Sequence, residues 1–410
     1  MNQLNGADTV FVFVSTVLVL VMTPALALFY GGMVRKKNVL STTVHSYAAI
    51  AIVSVQWVLF GYTLSFGNDI KGILGNLSFL GLKGVGFAPN SNYAATIPHE
   101  AFMMFQMMFA IITVALVSGS IAERMKSMAF ILFIVLWTTI VYDPLAHWVW
   151  GVGGWIHTMG ALDFAGGDVV HISSGVSGLV AALVLGSRRR KETVTPHNIP
   201  MTVLGAGLLL FGWYGFNAGS ALAVNSVAFN AFITTNTSAA AAAIGWSTFE
   251  YIHRKKVTAL GIASGLVAGL VAITPAAGFV SPMAAIIIGF IGGAICFSSV
   301  TFMKGKFGYD DALDAFGCHA VGGMWGGIAT GIFASISINS SGANGLIHGN
   351  PKLVLIQIVA IVATIIYSAI MTFGIMKVVD KLIGIKVTKE EEQVGLDISE
   401  HGEEAYGGLN

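Results

Sequence analysis

Charge is what this sequence has least of. Only 10% of its 410 residues are Asp, Glu, Lys or Arg, against roughly 25% in a soluble domain, which excludes a water-soluble globular fold. Cysteine is nearly absent as well. Cys296 and Cys318 lie in separate apolar runs, so neither a disulfide scaffold nor a thiolate metal site is expected, and no cofactor is implied. The opening "MNQLNGAD" has no basic segment, and the apolar run behind it is long enough to span a bilayer; no cleavable signal peptide is expected.

What is present is apolar surface. Hydrophobic residues make up 55% of the chain and the mean hydropathy is +0.78. Predominantly apolar runs of roughly 17 residues or more, each able to cross a hydrocarbon core of roughly 30 Å as a helix, recur over 8–30, 42–66, 99–122, 128–148, 161–186, 198–219, 227–252, 258–274, 282–303, 311–335 and 353–379. The expected fold is therefore an all-α integral membrane protein with eleven transmembrane helices. Of the 21 Lys and Arg residues, all but Lys71, Lys83 and Lys352 fall in alternate connections or the tail. Basic loops stay in the cytoplasm, so the N-terminus is expected outside and the C-terminus inside. That topology accounts for the basic runs without nucleic acid, which is not an expected partner.

Two histidines stand out in this background. "DFAGGDVVHISSGVSGL" (163–179) carries His171 and "DALDAFGCHAVGGMWGG" (311–327) carries His319. After each, positions i+3, i+4 and i+7 are small: Ser174, Gly175 and Gly178, then Gly322, Gly323 and Gly326. These offsets share one helical face. Span 1 ends "ALFYGG" and span 6 ends "GWYGFNAG", so counterparts are five spans apart and the second half is inverted, as in many transport proteins. The expected organisation is a first five-helix repeat over 1–190, an inverted second repeat over 191–340, an eleventh helix within 341–384 and a cytoplasmic tail over 385–410. His171 follows Asp163, and His319 follows Asp311, by eight residues. At 1.5 Å per residue each histidine is roughly 12 Å from its own side, and in a core of roughly 30 Å the two differ in depth by about 6 Å. They can touch. The alternative is two unrelated histidines, each bonded to some neighbouring helix. Small residues at four-residue spacing elsewhere (Gly261, Gly265 and Gly269; Gly289 and Gly293; Gly323, Gly327 and Gly331) are expected to serve close helix packing.

Trp150 at the outer end of span 4, Phe109 some way into span 3 and Ser220 at the outer end of span 6 all map to the outer part of the membrane. Most aromatics in such a chain are lipid-facing or interfacial, but two π-faces and a hydroxyl oxygen around a small vestibule suit a small cation. Asp163 is read first as a cap on the start of span 5 and second as a source of negative potential for the vestibule.

These residues carry a resemblance. "ALDFAGGDVVHI", "FGWYGFNAGS", "ITPAAGF", "DAFGCHAVGG" and the tail "GLDISEHGEEAYG" resemble the ammonium transporter (Amt/Rh) family, on its bacterial and plant Amt side, over essentially the whole chain. The resemblance implies a homotrimer of eleven-helix subunits in the cell membrane, with ammonium or ammonia as substrate and methylammonium as analogue. It implies an outer ammonium site at Phe109, Trp150 and Ser220 with Phe105 beside it, stacked rings Phe109 and Phe216 closing the pore, and twin histidines His171 and His319 lining it. Asp163 matches the acidic position near the outer site, and the tail resembles one that answers a PII-type signalling protein. The match departs in one extra residue between Trp150 and Asp163 and in "AFMMFQMMF" around Phe109. The expected activity is transport, not enzymatic catalysis. Two other readings are an ammonium sensor signalling through the tail, which is too short for an output domain, and a redox protein with His171 and His319 as axial haem ligands, which the glycine stripes leave little room for.

Overall fold

The structure, a computed structural model, describes residues 4–189 and 195–407. The expected boundary between repeats at 190/191, with Arg190 and Lys191, lies outside the described residues. Each of the eleven apolar runs falls on a helix: α1 Gly6–Met33, α2 Lys36–Phe66, α3 His99–Ile121, α4 built of Ser127–Trp137, Thr138–Tyr142 and Asp143–Trp150, α5 Gly167–Leu185, α6 Ile199–Gly219, α7 Ser226–Arg254, α8 Ala259–Ile273, α9 Pro282–Phe307, α10 built of Phe316–Ala320 and Val321–Phe333, and α11 Lys352–Ile383. Eight of these are long and apolar enough to cross a membrane. The others are α8, which is apolar but shorter, α7, whose middle is rich in Thr, Asn and Ser, and α10, which is diluted by glycine. A small antiparallel hairpin, β1 Asp69–Ile70 and β2 Leu74–Gly75, lies in the long connection after α2.

The polarity of the bundle is inverted relative to a soluble protein. On α11, Leu355, Ile358, Val362, Ile366, Ile370 and Phe373 are exposed, whereas Gln357, Thr364, Ser368 and Thr372 are buried. A helix arranged this way suits an apolar solvent outside and hydrogen-bonding neighbours inside.

Small residues set the distances between helices. A Cβ added at Gly269 or Gly289 would meet the Ser238 carbonyl oxygen at 2.4 and 2.2 Å, and one at Gly293 would meet that of Ala242 at 2.2 Å. The α7–α8–α9 layer is thus packed backbone to backbone, and α1 lies along α6 in the same manner.

Helices α5 and α10 both start later than their apolar runs suggest. Residues 163–166 and 311–314 are not regular helix; each histidine lies in a π turn, Gly167–Ile172 or Phe316–Ala320, at the start of its helix. The reason is capping. The Asp163 carboxylate accepts from four successive amides, Gly166, Gly167, Asp168 and Val169, at 2.6 to 3.4 Å, and the Asp311 carboxylate accepts from Phe316 N at 2.8 Å. These side chains satisfy helix-start amides that have no intrahelical partner. Helices α2, α4 and α9 also contain π turns, Trp57–Gly61, Thr138–Tyr142 and Ser299–Met303.

Candidate permeation pathway

The two small-residue stripes face each other. A Cβ at Gly175 would lie 2.4 Å from Ala320 N, and one at Gly323 would lie 3.1 Å from the Gly167 carbonyl oxygen and 3.2 Å from His171 Cβ. Glycine at both places lets α5 and α10 touch where the histidines sit. His171 and His319 are buried, their rings stacked at 5.3 Å, with Nδ1 3.3 Å from Nδ1. At that pair of atoms one ring donates and the other accepts. His171 Nε2 is buried with no partner among the described residues. The nitrogens meet directly, which leaves no room for a haem between the rings.

The cavity at the histidines is narrow, ≈ 10 Å³, about the space one water-sized molecule needs. Its wall includes Leu26, Ile112, Val170, Leu209 and Val267 together with Trp213 and Phe216. Trp213 stacks on His171 at 5.4 Å and is fixed by its indole N–H on Thr274 at 2.9 Å. The sequence reading did not single it out, although it stands within "GWYGFNAG", one helical turn before Phe216.

Beyond the histidines, away from the basic loops, Phe216 lies 6.1 Å from His171 and 4.3 Å from Phe109. Phe109 meets Phe105 at 4.9 Å and Trp150 edge-on at 5.9 Å. The Trp150 indole donates to the Asp163 carbonyl oxygen at 2.9 Å. The Ser220 hydroxyl donates to the Phe216 carbonyl oxygen at 2.8 Å, so its own lone pairs remain as acceptors. Phe105, Phe109, Trp150, Phe216 and Ser220 therefore form one linked set, continuous through Phe216 with the histidines. Asp163 stands beside it with its carboxylate used as the cap and its backbone oxygen holding Trp150. Asp168, which the sequence reading passed over, is buried next to that cap with Oδ1 unpartnered among the described residues.

On the basic side, Phe29 separates the histidine cavity from a wider one of ≈ 210 Å³, walled by Glu250, Arg254, Asp314 and Cys318 among others. The loops around it are clamped. Glu123 pairs with Arg35 at 3.0 Å and Arg188 at 3.4 Å, and Asp310 pairs with Arg188 at 2.6 Å and Arg124 at 2.8 Å. Burial alone would raise both carboxyls, but hydrogen bonds and charge from Arg35 on Glu123, and from Arg188 and Arg124 on Asp310, hold each below the usual carboxylate range. The tail helices α12 Lys389–Val394 and α13 Leu396–His401 pack on these loops. Asp397 accepts from Ser41 N at 2.8 Å at the start of α2, Leu396 N donates to Asn38 at 2.9 Å, and Tyr406 bonds His197 at 2.8 Å.

The family described as Ammonium Transporter Family matches residues 10–406. The chain is similar to an ammonium transporter of Bacillus subtilis (strain 168), 61% identical over 97% of this chain and 98% of that one. It is similar to ammonium transporter Amt1 of Archaeoglobus fulgidus, 46% identical over 98% of this chain and 100% of that one. In three dimensions it superposes on the crystal structure of Candida albicans Mep2 with a TM-score of 0.90, at 34% identity over 98% of this chain and 91% of the other.

Proposed function

From the premise that the chain belongs to the ammonium transporter family, a family of transport proteins and not enzymes, we propose that this multi-pass membrane protein takes up ammonium through the pathway described above. Ammonium is held first at Phe109, Trp150 and Ser220, with Phe105 behind. The ring faces attract the cation and the hydroxyl accepts one of its hydrogens. Ammonium and potassium ions are of similar size, so a sieve does not separate them. The chemistry that does is deprotonation: an apolar bore makes a full charge expensive, and ammonium can give its proton to water on the outer side of the gate, whereas potassium has none to lose. Neutral ammonia then passes the Phe109–Phe216 gate and the His171–His319 pair. The observation that carries this reading is the direct Nδ1–Nδ1 contact of two buried imidazoles in an otherwise apolar cavity. Such a pair offers both a donor and an acceptor to a neutral solute without introducing a fixed charge.

In the same reading all eleven helices cross the membrane in two inverted repeats, with the N-terminus outside and the basic loops and tail in the cytoplasm of a plasma-membrane protein. The exposed Tyr214–Asn236 hydrogen bond, 2.8 Å on the flank of α6 and α7, suits burial against another copy better than contact with lipid, in keeping with a homotrimer. The tail, bonded to the start of α2 and to the loop before α6, is placed to relay binding of a PII-type protein to the pathway.

The test is uptake of labelled methylammonium by cells without a transporter of their own. Expression of this chain should confer saturable uptake that ammonium suppresses and potassium does not. Uptake indistinguishable from empty cells at confirmed surface expression would refute transport and favour a sensor.

A further inference from the structure

Outside the pathway, one buried ring is committed on both sides. His147 lies in the last segment of α4, three residues before Trp150, and is fully buried. Its Nδ1 is 2.9 Å from the Ser65 carbonyl oxygen and its Nε2 is 2.9 Å from Asp69 Oδ1. A carbonyl oxygen only accepts, so Nδ1 donates to Ser65; the Asp69 side chain at the other nitrogen keeps 30% of its surface exposed. Both ring nitrogens are thus engaged, and the ring joins the end of α2, strand β1 and α4. Other titratable groups on the elements packed around it include Asp143 and Tyr142 of α4, Tyr62 of α2, His157 of the one-turn helix Trp155–Met159, and Asp168 of α5. None makes an ion pair with the ring among the described residues; Asp143 is taken by the Gln56 amide at 2.7 Å and Tyr62 by His99.

The chain leaving α4 closes over this ring. A Cβ at Gly154 would lie 2.0 Å from the His147 carbonyl oxygen, and one at Gly153, where φ is +94°, would lie 2.5 Å from Asp69 Cβ. Trp148 and Trp155 add bonds to the same hairpin, to the carbonyl oxygens of Ile73 at 2.8 Å and Gly72 at 3.1 Å. Trp150 sits between these anchors at the last residue of α4, its indole tied on the other side to Asp163.

We propose that His147 is a positioning residue for ammonium recruitment: its two-sided bond to Ser65 and Asp69 locks the end of α4 to the β1–β2 hairpin and thereby fixes the Trp150 ring against Phe109. This rests on the reading of Phe109, Trp150 and Ser220 as the recruitment site. Orientation over a ring face decides a cation–π contact, so loosening the end of α4 weakens capture without touching the bore.

The experiment is the concentration dependence of labelled methylammonium uptake at matched surface expression for Trp150→Leu, His147→Leu, His147→Asn, Asp69→Ala and the double variant His147→Leu/Trp150→Leu. Trp150→Leu should raise the half-saturating concentration. His147→Leu should raise it by part of that amount, about three- to tenfold of the range a cation–π face supplies, with maximal flux within about twofold of the parent. His147→Asn, whose amide N–H replaces Nδ1–H toward Ser65, should shift it less. In the Trp150→Leu background, His147→Leu should add nothing. If Trp150→Leu shifts half-saturation and His147→Leu does not, or if His147→Leu shifts it equally in both backgrounds, His147 does not act through Trp150. If Trp150→Leu itself shifts nothing, the recruitment-site reading fails first. Should His147→Leu not reach the surface, Asp69→Ala at the partly exposed end of the link carries the test, and an unchanged half-saturation there overturns the proposal.

Discussion

Replacing Gly175 by alanine tests whether helix contact, and not merely the presence of two histidines, makes the pathway. The added Cβ would start 2.4 Å from Ala320 N, 2.8 Å from its Cβ and 2.9 Å from its Cα, where ordinary contacts run 3.4–4 Å. The obstacle is backbone on the neighbouring helix, so α5 and α10 must part by about 1 Å to relieve it. Gly175 lies one turn after His171, and Ala320 adjoins His319. The same displacement therefore falls on an Nδ1–Nδ1 contact already 3.3 Å long, at the far end of the hydrogen-bonding range. Overpacking of this kind costs roughly 1–3 kcal/mol, and a buried imidazole nitrogen left without its partner costs roughly 1–3 kcal/mol more. If 1–3 kcal/mol of this reaches the transport barrier, flux falls by about 5- to 160-fold. Methylammonium uptake at matched surface expression measures it, with Gly207→Ala as control because nothing lies within 4 Å of a Cβ there. A Gly175→Ala protein with parental flux and parental rejection of potassium would refute the reasoning.

Other consequences are equally direct. Trp150→Leu removes a cation–π face worth roughly 0.5–2 kcal/mol, so the concentration of ammonium needed for half-maximal uptake should rise about two- to thirtyfold; Ser220→Ala should add a smaller rise, and unchanged curves for both would count against a cation site there. Truncation after Lys386 removes α12, α13 and Tyr406, with their bonds to Asn38, Ser41 and His197; uptake should drop while membrane insertion persists, and full uptake would mean the tail is not coupled. Glu123 and Asp310 are held below the usual carboxylate range, so their contribution to stability is complete above the unfolded value of roughly 4 and is lost as pH falls through the lower folded value. The thermal midpoint in detergent should thus hold steady from neutral pH to about 4–5 and fall below that, a drop that Glu123→Gln should make shallower; identical acid limbs for parent and variant would exclude the clamp as its cause.

How much of this could be read from the sequence depends on what each feature rests upon. The histidine pair was legible because the expected inverted order, with equal spacing from Asp163 and Asp311, put both residues at similar depth, and the small-residue stripes suggested close contact. The arithmetic behind that depth assumed regular helix from each aspartate onward. The structure replaces the first residues with a capped loop and a π turn, which side-chain acceptors decide and hydrophobic periodicity does not register. Trp213 was hidden for a different reason: an aromatic in an apolar run is usually belt or packing, and only its stacking on His171 distinguishes it. The His147–Asp69 link joins residues 78 apart through a loop of weak pattern, so no local signal could have announced it. Tail docking is similar, with partners more than 350 residues away in sequence.

The central claim is that His171 and His319 work as one polar unit in an apolar bore. The most direct measurement is of ammonium and potassium currents, with parallel methylammonium uptake, for His171→Leu, His319→Leu and the double variant at matched surface expression. Each single change leaves a buried imidazole without its partner, so each should lower flux or admit potassium by more than the loss of volume explains, and the double variant should depart from the sum of the two. Parental rate and selectivity in all three would make the histidines packing residues and contradict the account.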